Sequence, residues 1–485
     1  MPDRRAPTTS GGPDRSGVVE ELLGALGAER VTSDPDIVAS LSHDQASWAP
    51  RATALAVVRP RTANEVVTTV TTCARHQTPV VPRGAGTGLS GGANASTGSV
   101  VVSLEKMDHI TLIDPVERLA VVGPGVINDR LREAAAQHGL WYPPDPASSP
   151  WSTIGGNVAT NAGGLCCTKY GVTGDYVLAL EVVTGNGDLV HLGRRTAKGV
   201  AGYDLTKLMV GSEGTLGIIT EVVVRLRPAP PPPHTVVGFF PGLVAAGTAI
   251  EAAAEDGITP SMLELVDELG LAAVDQWKNM GLGAMGGVVL MGRTDEPGEE
   301  GERQARRLLD CFRRSGATDA EMSSDPAEGE AMFAARRLVY PALERLGPVM
   351  TEDVCVPKRH VVEMLRRVGD IGAQFDVPVA AIAHAGDGNL HPFLVLAHDD
   401  DELTTRAKAA FHAIIGAALE LGGTVTGEHG IGLLKRDALV RELQPAVLEM
   451  HRSLKRALDP AGLMNPGKVF AGAEGPGEPG SPPLR

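Results

Sequence analysis

Pro82-Arg83-Gly84-Ala85-Gly86-Thr87-Gly88-Leu89-Ser90-Gly91-Gly92 holds a formal GxGxxG at Gly86, Gly88 and Gly91, and the reading of this stretch decides the fold. In a Rossmann dinucleotide site such a loop opens a helix whose N-terminus meets the pyrophosphate. Here it runs through Ala93-Asn94-Ala95-Ser96-Thr97-Gly98 into a β-branched strand expected over 99–104. That context excludes the Rossmann reading. What remains is a nest of backbone N–H groups turned onto one anion, with hydroxyl donors from Thr87 and Ser90, which suits a pyrophosphate without a helix dipole.

Around the loop, apolar periodicity predicts a helix over 18–26, strands over 54–58 and 79–82, and a helix from an Asn64 cap to about His76. Two more glycine-rich blocks follow. The second is Pro143-Pro144-Asp145-Pro146-Ala147-Ser148-Ser149, then Thr153-Ile154-Gly155-Gly156-Asn157, then Asn161-Ala162-Gly163-Gly164, with too little side chain to be core. The third runs from Lys198-Gly199-Val200-Ala201-Gly202-Tyr203-Asp204-Leu205 through Gly211-Ser212-Glu213-Gly214-Thr215-Leu216-Gly217-Ile218-Ile219-Thr220 into a strand. The three blocks are expected to wall one extended cofactor groove. The run Pro228-Ala229-Pro230-Pro231-Pro232-Pro233 then reads as a stiff linker between domains.

Beyond it, helices expected over 244–255, 299–314 and 358–375 alternate with strands over 261–265, 287–291, 379–383 and 390–396, a two-layer α/β pattern. Helices at about 402–421 and 437–457 follow. With 44 Lys+Arg against 59 Asp+Glu the net charge is −15, which disfavours nucleic acid and anionic membrane surfaces as partners. No apolar run approaches the roughly 18 residues of a transmembrane span, and residues 1–16 lack the apolar core of a signal peptide. The expectation is a soluble, cytoplasmic protein, with peripheral attachment to the inner membrane open only through a partner. Its five cysteines, Cys73, Cys166, Cys167, Cys311 and Cys355, form no CxxC pair, against a disulfide framework or a chain-borne iron–sulfur cluster. Any electrons handled here must leave through something else.

His384-Ala385-Gly386-Asp387-Gly388-Asn389-Leu390-His391 lies between two apolar runs, and Asp387-Gly388 favours a two-residue type I′ hairpin. That register pairs Gly386 with Asn389 and sets His384 directly opposite His391, with Cβ atoms about 5 Å apart. Thr426-Gly427-Glu428-His429-Gly430-Ile431-Gly432 adds a carboxylate and a third imidazole in another glycine-flanked turn. This is the donor mix of a catalytic zinc or manganese site with open positions, provided the two turns meet.

The three glycine blocks, in this order over about residues 50–229, resemble the FAD-binding domain of the vanillyl-alcohol-oxidase/PCMH flavoprotein superfamily. The two histidine motifs, with Leu458-Asp459-Pro460-Ala461-Gly462-Leu463-Met464-Asn465-Pro466-Gly467-Lys468, resemble the FAD-linked D-2-hydroxyacid dehydrogenases. Members include glycolate oxidase catalytic subunits, D-lactate dehydrogenases and D-2-hydroxyglutarate dehydrogenases, and the likeness covers about residues 40–470. It implies an α+β fold: a disordered lead over 1–16, a PCMH-type two-subdomain FAD-binding domain over 17–229, and an α/β cap (substrate) domain over 230–430. A C-terminal segment over 431–472 is expected to return to the FAD domain, before a disordered tail over 473–485.

The resemblance places FAD contacts on Pro82, Arg83, Gly84, Ala85, Gly86, Thr87, Gly88, Leu89 and Ser90 in the first block. In the second it places them on Pro143, Asp145, Ser149, Thr153, Gly155, Gly156, Asn157, Asn161, Gly163 and Gly164, and beyond it on Glu213, Gly217, Ile218, Ile219 and Asn465. Covalently flavinylated members often carry histidine where Thr87 stands, so the FAD is expected to be non-covalent. His384, His391 and Glu428 match the family's metal ligands, His429 its general base, and Arg336 in Phe333-Ala334-Ala335-Arg336-Arg337 its substrate arginine.

The implied reaction is oxidation of a small D-2-hydroxy acid to the 2-oxo acid, with hydride passing to flavin N5. The electrons would then go to a separate iron–sulfur subunit, electron-transfer flavoprotein, cytochrome or quinone. D-2-hydroxyglutarate enzymes have a lysine near the position of Thr351 and an asparagine near Phe393; both are absent, which favours glycolate or D-lactate. D-2-hydroxyglutarate oxidation, a transferase on the same fold, and a non-catalytic flavoprotein subunit stand as alternatives. A homodimer is left open.

Overall fold

The computed structural model describes residues 16–281, 287–397 and 400–470. The lead and tail expected to be disordered lie outside these residues, apart from Ser16, which starts the helix Ser16–Leu26. The first sheet has the strand order Val31–Thr32, Ala56–Val58, Val100–Ser103, Val80–Arg83, and its last three strands run parallel. The helix Ala63–Arg75 crosses between two of them. It is capped by Thr62 rather than Asn64, because Thr62 and Glu65 form a reciprocal capping box that satisfies the first free amides. The glycine loop leaves the end of Val80–Arg83 and returns as Val100–Ser103 with no helix between.

A second, antiparallel sheet follows, in the order Ile110–Asp114, Leu119–Val122, Gly217–Arg225, Val177–Thr184, Leu189–Gly193. Strand Gly217–Arg225 reaches the two larger apolar cores of this part of the chain, Val222 and Val224 packing in one and Ile218 in the other. Pro228 pairs with Leu140 in a short two-stranded ribbon, and the proline run then leads into the strand His234–Phe240.

Residues beyond the prolines build an antiparallel sheet of eight strands among the described residues. Its path is Asp319–Ser323, His234–Phe240, Val288–Thr294, Met262–Val266, Val379–His384, Asn389–Val395 and Val349–Thr351, with Val354–Cys355 also pairing Asn389–Val395. The sheet is covered on both faces, so this part is three layers rather than the expected two. Alternate residues of each strand point to opposite sides: Leu265 and Ala383 face the core under helices Leu243–Glu255, Glu299–Arg314, Val361–Phe375 and Asp401–Glu420. Val266 and Ile382 face helices Glu268–Lys278 and Pro326–Glu344. Those last two helices create the second apolar face, and on that face the site lies.

The helix expected over 437–457 is two helices, Arg436–Glu442 and Pro445–Leu458, because Pro445 cannot continue the first and sits at the start of the second. The chain then runs back to the first sheet. Val80 donates to Leu463 O, Asn465 donates its backbone N–H to Val80 O, and buried Lys455 donates to Thr215 O and Met464 O.

Candidate active site

The 384–391 hairpin closes differently from its expected register. His384 pairs with Asn389 and Ile382 with His391, so the loop is the four residues Ala385, Gly386, Asp387 and Gly388. The amides of Asp387 and Gly388 both donate to His384 O, and the Asp387 carboxylate accepts from Asn389 N, closing the four-residue loop. The slip is two residues. Side chains alternate with a period of two, so both histidines still share a face. They sit diagonally rather than opposite, with ring centroids 5.1 Å apart.

The 426–432 turn meets them. Glu428 Oε1 lies 3.1 Å from His391 Nε2 and 3.6 Å from His384 Nε2, and one donor atom from each of the three side chains lies within 4.8 Å of the others. Among the described residues this is the one group of three such side chains placed to hold a metal. The two imidazoles hold the Glu428 carboxyl well below its usual range, although burial acts the other way. Two borderline nitrogens, a carboxylate and an open cavity side fit a divalent zinc or manganese ion. His429 stacks on His391 with centroids 5.1 Å apart and planes inclined by 20°. Burial pushes its imidazole down to about 4, with the nearby Asp353 carboxylate pulling upward.

Two buried carboxylates hold this turn, and sequence reasoning found neither role. Asp353 Oδ2 accepts from Thr426 Oγ1 and from the amides of Gly427, Glu428 and His429 at 2.5–3.1 Å. Glu213, expected to touch cofactor, also accepts from Ile431 N at 2.7 Å and Gly432 N at 2.8 Å, tying the turn to the N-terminal sheets. An isolated Asp or Glu beside a strand carries no sequence signal of such a distant partner.

One cavity of about 830 Å³ joins this cluster to the glycine loops. Residues 82–90, Asp145, Ser149, Thr153, Gly155, Gly156, Asn157, Gly163, Gly164, Glu213, Gly217, Ile218 and Ile219 line it from one side, and Arg336, His384, His391, Glu428 and His429 from the other. Pro143, Asn161 and Asn465 are not among the lining residues. Pro143 O accepts from Cys166, Asn161 is the left-handed cap of helix Ile154–Thr160, and Asn465 Nδ2 bonds Gly92 O and Glu213 O. The first part of the third block also stands apart. Val200 and Tyr203 are 98% and 95% exposed, so glycine density there marks a surface loop rather than a wall. Asp44, Arg132 and Trp151 line the cavity although the sequence did not single them out.

The volume and the backbone-rich walls suit a dinucleotide-sized cofactor. Gly86 holds φ +77°, and a Cβ there would meet the Arg83 guanidinium. Gly86→Val forces a β-branched residue into left-handed backbone at the wall. The purified variant should lose most of its flavin absorbance per mole of protein, against near-stoichiometric colour in the parent.

Residues 54–193 match the family described as FAD binding domain, and residues 230–469 that described as FAD linked oxidases, C-terminal domain. The chain is 40% identical to glycolate oxidase subunit GlcD of Bacillus subtilis strain 168, over 86% of this chain and 89% of the relative. It is 33% identical to a D-lactate dehydrogenase of Anaerostipes hadrus, over 93% and 96%. Among solved structures, 4-ethylphenol oxidase from Gulosibacter chungangensis superposes with a TM-score of 0.78 at 17% identity, covering 96% of this chain and 99% of that one. No helix among the described residues is long and apolar enough to cross a membrane.

Proposed function

The chain belongs to the FAD-linked oxidases, an FAD-binding oxidoreductase on a PCMH-type fold, and from that premise we propose that it oxidises a small D-2-hydroxy monocarboxylate such as D-lactate or glycolate. The observation that carries this reading is the single cavity that runs from the glycine loops to His384, His391, Glu428, His429 and Arg336. When bound, non-covalent FAD supplies the two-electron acceptor for the hydrogen on C2, and a divalent ion held by His384, His391 and Glu428 supplies the Lewis acidity that lowers the hydroxyl pKa.

The chain's own residues do the rest. Arg336 is held through its Nε by Glu264 at 2.9 Å, and no hydrogen bond to its terminal nitrogens is seen among the described residues, so they can take the substrate carboxylate. His429, neutral at physiological pH, accepts the hydroxyl proton. The wall beyond is apolar: Ile382, Phe393, Met262 and the ring of Tyr340, 5.7 Å from that of Phe393. Beside Arg336, two further cations reach the cavity on this side, Arg293 and Arg337, and both pair with Glu330, while Arg83 lies in the glycine loop and Arg132 beside Asp145. The two cations beside this apolar wall thus already have a carboxylate partner, which disfavours a second substrate carboxylate there.

The described cysteines are unpaired with one another, and the metal-type group holds no thiol, so reduced flavin would pass its electrons to a separate acceptor. The Bacillus relative's designation as a subunit supports a protein partner for this step. Dye-linked turnover of glycolate, D-lactate, L-lactate and D-2-hydroxyglutarate tests the substrate assignment. D-lactate or glycolate should exceed D-2-hydroxyglutarate in kcat/KM by about tenfold or more, the scale of one unmet charge or misfit group. A preference for D-2-hydroxyglutarate would overturn the monocarboxylate reading.

A further inference from the structure

Glu264 lies directly opposite His384 on the neighbouring strand and is fully buried. A carboxylate inside a sheet costs desolvation that a leucine would not, so it persists only where partners occupy both oxygens. Both are occupied: Oε1 faces His384 Nδ1 at 2.7 Å and Oε2 accepts from Arg336 Nε at 2.9 Å. The two partners come from different elements, strand Val379–His384 and helix Pro326–Glu344.

We propose that Glu264 is a positioning residue shared by the two halves of the site, fixing His384 for metal binding and Arg336 for the substrate carboxylate at once. This rests on the function proposed above. With Nδ1–H donated to Glu264, the lone pair of His384 is on Nε2, the nitrogen that faces Glu428. A carboxylate behind a ligating imidazole fixes its tautomer and raises its basicity. On the other side, anchoring Nε restrains the guanidinium plane, which is what a bidentate grip on a carboxylate requires. The metal and the carboxylate clamp therefore take their spacing from one side chain, and a change in either contact is felt at both.

Glu264→Gln separates the two duties. A carboxylate accepts from both donors, whereas an amide has one accepting oxygen, so either Arg336 or His384 faces an N–H whichever way the amide lies. In folded, flavin-loaded protein, zinc affinity by chelator competition should fall about 10- to 100-fold, or KM for D-lactate should rise about tenfold or more, or both. The KM effect should vanish in an Arg336→Met background, because it acts through Arg336; a merely structural role would leave the two changes additive.

If the parent binds zinc and turns over D-lactate but Glu264→Gln changes neither quantity, or the changes add, the inference fails while the function stands. If the parent binds neither zinc nor manganese, the proposed function itself fails. Should Glu264→Gln not fold, Arg336→Met alone carries the test. It removes the competitor for Glu264 and should shift zinc affinity at least threefold, and an unchanged affinity overturns the proposal.

Discussion

Replacing His429 by alanine should leave FAD bound and slow its reduction by substrate about 10²- to 10⁴-fold, the range of a removed general base. The ring is stacked on His391, on the side of the cavity opposite the glycine loops, so flavin content should match the parent. Its neutral state defines a pH profile as well. Proton acceptance needs the unprotonated imidazole, and with burial holding it at about 4 that form is lost only as pH falls through that value. A cation on the neighbouring ligands pushes the same way. The parent's reduction rate should therefore stay flat, as far as this group is concerned, from pH 8 down to about 5.5. Stopped-flow bleaching of the visible flavin band checks both statements. Reduction of His429→Ala at the parental rate would remove the histidine from its assigned role.

Glu428→Ala should have the larger effect. It leaves two imidazoles where three donors lie within 4.8 Å, and Lewis-acid stabilisation of several kcal/mol corresponds to about 10³ or more in rate. Metal per mole of protein, measured by elemental analysis, should fall with activity while flavin content holds. The neighbouring wall gives an independent handle: a Cβ on Gly163 would stand 2.5 Å from Glu428 Oε2 and 3.2 Å from its Cβ. Gly163→Ala thus pushes the ligand from the FAD side and should weaken metal binding without touching a donor atom. Full metal content with full activity in Glu428→Ala would contradict the assignment.

Local chemistry was legible where it needed no distant partner. The glycine loop at 82–92 could be separated from a Rossmann site because a strand, not a helix, follows it. The hairpin register was misjudged by two residues because a four-residue loop and a two-residue turn share the Asp387-Gly388 signal, yet the period of two kept both histidines on one face. Glycine density misled at 198–205, where the residues between glycines are exposed. The helix Pro326–Glu344 and its layer went unread, and Arg336 came from resemblance rather than periodicity. Glu264, Asp353 and the true partners of Glu213 were beyond reach for one physical reason. Each is an acid whose partners lie 72–120, 73–76 and 218–219 residues away, and only the sheet and the cavity bring them together.

The most direct test mixes the purified, flavin-loaded protein with D-lactate or glycolate in the absence of oxygen and follows the flavin band, with and without prior chelation of divalent metal. Rapid bleaching that chelation abolishes and added zinc or manganese restores is the expected result. A flavin that stays oxidised with every 2-hydroxy acid, or bleaches equally fast after verified metal removal, would contradict it.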